Sequence, residues 1–200
     1  MKCYLCGSEN QIKRRGEPRD NKSINVLECL DCGLVFLDSF NHISDKYYEE
    51  SQMNRENFQP KSVNAWLKET EIDDIRRLEK HKSKLNGKEI LDFGCGAGGF
   101  LRGCRNLAKK VKGVELDRKV KEHWNGIIDI ASSVEEIIEK KETFDTITLF
   151  HVLEHIKDPI NTLKDISKCI KNNGEIIIEV PCSEDALLTL YECEAFQNFS

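Results

Sequence analysis

No apolar run in these 200 residues approaches the roughly 20 needed to span a bilayer. Met1-Lys2-Cys3 leads into no apolar stretch, so no secretory signal is read at the start. There is no positive excess either. The formal net charge is -5, which disfavours a protein that lives on phosphate backbones. A soluble, cytoplasmic protein is the expectation, and 39% hydrophobic against 32% charged residues fits a polar globular chain. The length suits one domain plus an appendage. Nine cysteines are then more than a reducing compartment would keep as disulfides.

Spacing accounts for four of them. Cys3-Tyr4-Leu5-Cys6-Gly7 and Cys29-Leu30-Asp31-Cys32-Gly33 are two C-x-x-C-G knuckles. Such pairs place four thiolates around a tetrahedral zinc, and the glycine after each allows the turn that aims N–H groups at sulfur. Polar residues 13–22 read as a hairpin loop, and residues 24–29 and 34–37 as short strands. Residues 1–37 are therefore expected to be a zinc ribbon with structural Zn2+, a cap on the next domain rather than an RNA grip. Cys95, Cys104, Cys169, Cys182 and Cys193 are left as small core residues.

The chemistry is organised around Leu91-Asp92-Phe93-Gly94-Cys95-Gly96-Ala97-Gly98-Gly99. A short apolar segment precedes it. Phe100, Leu101, Cys104, Leu107 and Ala108 follow at helical spacing, giving strand, glycine loop and helix. Glycines permit positive φ and close approach to a ligand. Gly94, Gly96 and Gly99 satisfy the dinucleotide pattern G-x-G-x-x-G, while Gly94, Gly96 and Gly98 equally give G-x-G-x-G. Asp92 tilts the choice. An acid at this strand end repels a pyrophosphate but accepts hydrogen bonds from an ammonium, which S-adenosylmethionine carries.

Residues 38–60 form a polar connector with Phe40, Tyr47, Tyr48 and Phe58, read either as a lid or as a linker. Residues 61–200 form the core domain. Pro60 is expected to open a helix running to Leu85, broken near Thr70, with an apolar stripe of Val63, Trp66, Leu67, Ile72, Ile75 and Leu78. A second strand, residues 111–115, ends in Glu115, placed to accept ribose hydroxyls, with Leu116 against the base and Asp117 as a helix cap. Residues 127–131 form a third strand. Ser132 or Ser133 after it caps a helix and lies beside adenine. Residues 144–150 read as a buried parallel strand, followed by His151-Val152-Leu153-Glu154-His155 and a helix from Asp158-Pro159. Residues 175–180 give a fifth strand, and a short helix is expected after Ser183.

With these motifs in place, residues 88–182 resemble the core of class I S-adenosylmethionine-dependent methyltransferases. Phe144-Asp145, His151-Val152-Leu153-Glu154-His155 and Asp158-Pro159 resemble the branch called type 11, 12 or 23. The resemblance implies an α/β, Rossmann-like core. It implies that Asp92, Gly94, Gly96 and Gly98 hold the methionyl part of the cofactor, and Glu115 its ribose. Leu116 and Ser133 would border adenine, and Phe150 and His151 would lie beneath the sulfonium. That family's core has seven strands, so a chain ending after the fifth is expected to be truncated, with an exposed edge that favours a homodimer.

Methyl transfer is an in-line displacement dominated by alignment. A base helps when the acceptor is a hydroxyl, and His151 or His155 is the candidate. His151, Glu154 and His155 also share the i, i+3, i+4 spacing of metal ligands on a helix, similar to the patch of terminal RNA 2′-O-methyltransferases. The favoured reading is a methyltransferase acting on a small molecule, such as a sugar or sugar nucleotide. The alternatives are a zinc-ribbon RNA methyltransferase and a non-catalytic cofactor-binding module.

Overall fold

Five parallel strands carry the larger part of the chain. In the computed structural model, which describes residues 2–15, 23–39, 55–56, 59–60 and 62–185, they are β6 (Glu89–Phe93), β7 (Lys110–Val114), β8 (Asp129–Ala131), β9 (Phe144–Phe150) and β10 (Ile170–Glu179). Their order across the sheet is β10-β9-β6-β7-β8. Connections therefore run outward in one direction from β6, then return and run outward in the other. The crevice above β6 and β9 is where such sheets bind ligands.

Side chains alternate between the two faces of the sheet, as the strand period requires. Leu91, Ile147 and Leu149 join Val134, Ile137 and Ile166, from helices α4 (Val134–Glu139) and α5 (Pro159–Ser167). Ile90 and Phe150 pack on the other face with Leu85 and Phe100, from α1 (Val63–Leu85) and α2 (Gly99–Cys104). Asp92 and Thr148 share the parity of Ile90 and Phe150, so they belong to the face that α1 covers. A further short helix, α3 (Arg118–His123), is capped by Asp117, whose side chain accepts from the Lys119 N–H.

Helix α1 differs from expectation in three ways. It starts at Val63, where the Ser62 hydroxyl accepts from the Ala65 N–H, and Pro60 lies instead in a two-stranded pair, β4 (Arg55–Glu56) with β5 (Gln59–Pro60). Thr70 does not break it, because its hydroxyl bonds to the Trp66 carbonyl and to Asp74 within the helix. Ile72 and Ile75 are 81% and 56% exposed. The helix buries the 63-67-70-74-78-81-85 stripe against α2 and the sheet, and positions 72 and 75 fall off it. Asn86 caps its end and Gly87 takes positive φ, as expected.

The smaller element is an antiparallel sheet, β1 (Gln11–Lys13), β2 (Val26–Cys29) and β3 (Val35–Leu37), over a core of Cys3, Cys29 and Phe36. Strand β1 was not expected, since two of its three residues are polar. The chain divides into two compact units, Met1–Ser44 with Pro181–Ser200, and Asp45–Val180. Phe40, Tyr47, Tyr48, Phe58, the proposed lid around them, Cys193 and most of the helix expected after Ser183 lie outside the described residues. Cys95, Cys104 and Cys169 are core residues as anticipated, but Cys182 is exposed. Among the described residues no helix is long and apolar enough to cross a membrane.

Candidate cofactor crevice and cysteine cluster

The glycine loop leaves β6 and turns under the end of β7, with the N–H groups of Gly94 and Cys95 donating to the Val114 carbonyl at 2.9 and 3.0 Å. Gly94, Gly96 and Gly98 all have positive φ. Space is restricted as well. A β-carbon on Gly98 would stand 2.6 Å from Trp124 Nε1, and one on Gly94 2.5 Å from Val152 Cγ2. Trp124, buried at the end of α3, fixes the loop by donating its indole N–H to the Ala97 carbonyl at 2.8 Å.

Two carboxylates flank this loop. Asp92 is 3% exposed and accepts from Thr148 Oγ1 at 2.6 Å. Burial pushes its carboxyl up to about 7, the Thr148 bond opposing and the neighbouring Asp74 carboxylate adding to the rise. Glu115 follows β7. Its Oε1 accepts from the N–H groups of Leu116 and Asp117, and its Oε2 from that of Gly96 at 2.9 Å. Burial raises this carboxyl too, although those three N–H bonds counter it. Oε2 keeps a lone pair for one further donor. Leu116 is 40% exposed beside it. Ser133 is the N-cap residue of α4 without a side-chain capping bond. The α4 start is held instead by Glu136, which accepts from the Ser132 N–H.

A second charged group gathers at the ends of β9 and β10. His151 has a φ of 54° and is half exposed. Its Nδ1 lies 3.1 Å from Glu154 Oε1 and its Nε2 3.4 Å from Glu179 Oε1. The Glu154 contact raises the His151 pKa above its ordinary value against the effect of burial. Arg76 and Arg77 of α1 both bond Glu179, at 2.9 and 2.7 Å. Burial pushes Glu179 up, but the two guanidiniums outweigh it and hold the carboxyl at about 2. Phe150 is buried, edge-on to Phe100, with the Arg77 guanidinium 4.9 Å from its ring centroid. His155 ends a single 3-10 turn, Leu153–His155. His151 precedes that turn, so the three residues do not share an α-helical face. Among the described residues the only grouping able to hold a metal is the cysteine one.

The structure thus gathers Asp92, Gly94, Gly96, Gly98 and Glu115 at the loop, and His151 with its carboxylates at the neighbouring strand ends. Thr148, Trp124, Glu179, Arg76 and Arg77 were not singled out from the sequence. Thr148 had only a partial signal, since its strand, Phe144-Asp145-Thr146-Ile147-Thr148-Leu149-Phe150, carries a second buried threonine, Thr146. The Arg76 and Arg77 contacts with Glu179 span about a hundred residues and had none.

In the ribbon, the four cysteine Sγ atoms all lie within 4.8 Å of one another, with Cys3–Cys32 at 3.7 Å and Cys6–Cys29 at 3.5 Å. These separations are far beyond a disulfide bond. They match the roughly 3.8 Å edge of a tetrahedron with about 2.3 Å metal–sulfur bonds. Gly7 and Gly33 take positive φ after each knuckle. Burial disfavours the Cys29 thiolate, yet the backbone N–H groups of Asp31 and Cys32 bring the thiol down to about 7. The donor set fits zinc.

Residues 63–199 match the methyltransferase-domain family, in its type 23. Among curated relatives, the ubiquinone biosynthesis O-methyltransferase of Nitrosospira multiformis is 27% identical over 166 residues, 78% of this chain and 62% of that protein. The tRNA U34 carboxymethyltransferase of Campylobacter hominis is 28% identical over 184 residues, 80% of this chain and 65% of its own length. The chain therefore spans less than two thirds of these relatives. Among solved structures, a SAM-dependent methyltransferase from Archaeoglobus fulgidus superposes with a TM-score of 0.50 at 23% identity, covering 61% of this chain and 58% of that one. The PH0226 protein of Pyrococcus horikoshii gives 0.50 at 21%, covering 65% and 66%. These likenesses establish the Rossmann-like α/β fold.

Proposed function

The chain belongs to the methyltransferase-domain family, and from that premise we propose that it transfers a methyl group from S-adenosylmethionine to a small-molecule acceptor. The observation that supports the cofactor is the pair of acids at the ends of adjacent strands beside the glycine loop, Asp92 buried and Glu115 partly buried. Asp92 offers acceptor oxygens to an ammonium. Glu115 Oε2 has capacity for one ribose hydroxyl, and Leu116 presents an exposed apolar side chain for the base, with Ser133 beyond it. The glycines let the loop backbone pack closely against Val152, Trp66 and Trp124. Bound there, S-adenosylmethionine supplies a methyl group on a good leaving sulfur. The protein's part is then alignment and proton removal. His151, at the end of β9 after Phe150, is the proposed proton acceptor, made more basic by Glu154 and Glu179. His155 is the second candidate.

The acceptor is drawn from two classes. One relative is named for an O-methylation in ubiquinone biosynthesis and the other for a tRNA. A net charge of -5 favours the small molecule over RNA. A sugar acceptor has no counterpart in either name. The four cysteines are proposed to hold one structural zinc, a site suited to a cytoplasmic location where thiols stay reduced. Among the described residues strand β10 lies at one edge of the sheet, the ground for proposing a homodimer, which sedimentation would test.

Calorimetry on the full chain tests the cofactor. S-adenosylhomocysteine is expected to bind with one site per chain and NAD not to bind, with Glu115→Ala losing at least about tenfold in affinity. NAD binding in place of S-adenosylhomocysteine would overturn the reading. A salt-sensitive RNA mobility shift would move the acceptor to the RNA class.

A further inference from the structure

Gly96 is approached from two sides. Its N–H donates to Glu115 Oε2 at 2.9 Å. On the other side, a β-carbon built on it would stand 3.0 Å from Trp66 Cζ2 and 3.6 Å from Cε2 and Cη2. The six-membered ring of the Trp66 indole therefore lies against the glycine whose N–H meets the proposed ribose anchor. Trp66 occupies the first turn of α1, just after the Ser62 cap, and is only partly buried.

The chain has two tryptophans, and they differ in commitment. Trp124 is 5% exposed and its N–H is used on the Ala97 carbonyl, so it secures the loop from within. Trp66 packs at the margin of the same apolar cluster, partly open to solvent. A nucleoside whose ribose is held by Glu115 and which crosses the loop at Gly96 lies beside that ring. A side chain at Gly96 would be strained by its φ of 53° and would press on the indole, whose Cζ2 stands 3.0 Å from the added carbon.

We propose that Trp66 is a cofactor-binding residue whose indole covers the sulfonium-bearing arm of S-adenosylmethionine. A cation against an indole face is stabilised by the ring quadrupole, and tryptophan is the best of the side chains for this. The assignment rests on the cofactor reading above and adds a residue from outside the strand ends. It also gives the first turn of α1 a role in closing the crevice that sheet and loop leave open.

Titration of the full chain with S-adenosylmethionine, followed by calorimetry, tests it. Trp66→Leu is expected to weaken binding about tenfold, and Trp66→Tyr to recover most of the loss, the scale of one partly desolvated cation–π contact. Equal affinity of Trp66→Leu and wild type overturns the assignment, as does a Tyr variant as weak as the Leu variant. Wild type that binds neither S-adenosylmethionine nor S-adenosylhomocysteine overturns the cofactor reading and this assignment together. A readout on wild type alone guards against variants that fail to fold. Acrylamide quenching of tryptophan emission, dominated by the more open Trp66, should fall on ligand addition, and unchanged quenching in ligand-saturated protein overturns the proposal.

Discussion

Asp92 and Thr148 are joined across the point where the strand order reverses. They are register partners on β6 and β9, and Thr148 Oγ1 donates to Asp92 Oδ1 at 2.6 Å, both residues being buried. A hydroxyl on the neighbouring strand thus orients the acid at the head of the glycine loop.

That acid carries a stability cost with a definite sign. Its folded carboxyl is raised to about 7. A raised acid contributes stability that is full below its unfolded pKa of about 3.9 and is lost as pH rises through the folded value. Asp92→Asn keeps an acceptor for Thr148 and removes the buried charge. The variant should be more stable than wild type at pH 8, on the order of 1–3 kcal/mol, with the difference vanishing near pH 4. Thr148→Val should do the opposite at pH 8, losing about 1–3 kcal/mol by stranding the carboxylate. Urea unfolding at the two pH values measures both.

The same carboxyl should make cofactor affinity pH-dependent. An ammonium beside Asp92 favours its ionised form, so binding below pH 7 must expel a proton. Affinity for S-adenosylmethionine is expected to rise up to about tenfold per pH unit between 6 and 7 and to level off above. Asp92→Asn should bind more weakly and flatten the profile. Calorimetry in buffers of different ionisation heat would count the proton directly.

Much of this site could be read from the chain because its parts are local. The glycine loop, Asp92 and Glu115 lie within 24 residues, and each motif sits where one strand hands over to the next element. Phe144–Phe150 was legible for a similar reason, since a buried parallel strand is rich in apolar and β-branched residues on both faces. What stayed hidden depends on packing between distant segments. Ile72 and Ile75 looked like part of a buried stripe because periodicity counts apolar residues and not the neighbours that meet them. The face that packs carries Thr70 and Asp74, polar residues bonded to each other within α1, with Asp74 lying against Gly99 at the start of α2. Glu179 reads as a surface acid until α1 brings two arginines to it.

Gly98 should tolerate no side chain. Its φ is 81°, and an added β-carbon would meet Trp124 Nε1 at 2.6 Å. Gly98→Ala must then break the indole bond to Ala97 or shift the loop. A loss of about 2–4 kcal/mol is expected, from left-handed strain together with a displaced buried donor. Gly126→Ala, also at positive φ but with nothing within 4 Å of the added carbon, should cost only the strain. Thermal unfolding of the pair separates the two contributions.

Glu179 ties α1 to β10. Glu179→Gln leaves Arg77, 11% exposed, without its carboxylate. A loss of about 1–3 kcal/mol is expected at neutral pH, moderated because the site is not fully closed to water. The wild-type contribution is present above the ordinary carboxyl value of about 4.3 and is lost as pH falls through the folded value, about 2. The variant should therefore lack that acid limb in urea unfolding. His151 should also titrate at lower pH in the variant, since one of the two carboxylates that raise it is gone, and NMR of its ring protons would follow this.

The cysteine cluster makes a prediction independent of the crevice. Four sulfurs within 4.8 Å of one another should retain one zinc per chain through purification, counted by mass spectrometry of the metal. Cys32→Ser should drop the content well below one. A zinc closed in by four protein sulfurs would have no open position for substrate, so the proposed metal would replace the core that a small three-stranded sheet cannot supply. Chelation should consequently unfold the ribbon, seen as loss of protection in amide exchange over residues 2–15 and 23–39. Protection of β6 and β9 and the affinity for S-adenosylhomocysteine should hold within about twofold, because neither acid that anchors the cofactor draws on the metal. A crevice that lost its ligand along with the zinc would instead mean that the ribbon helps to build it.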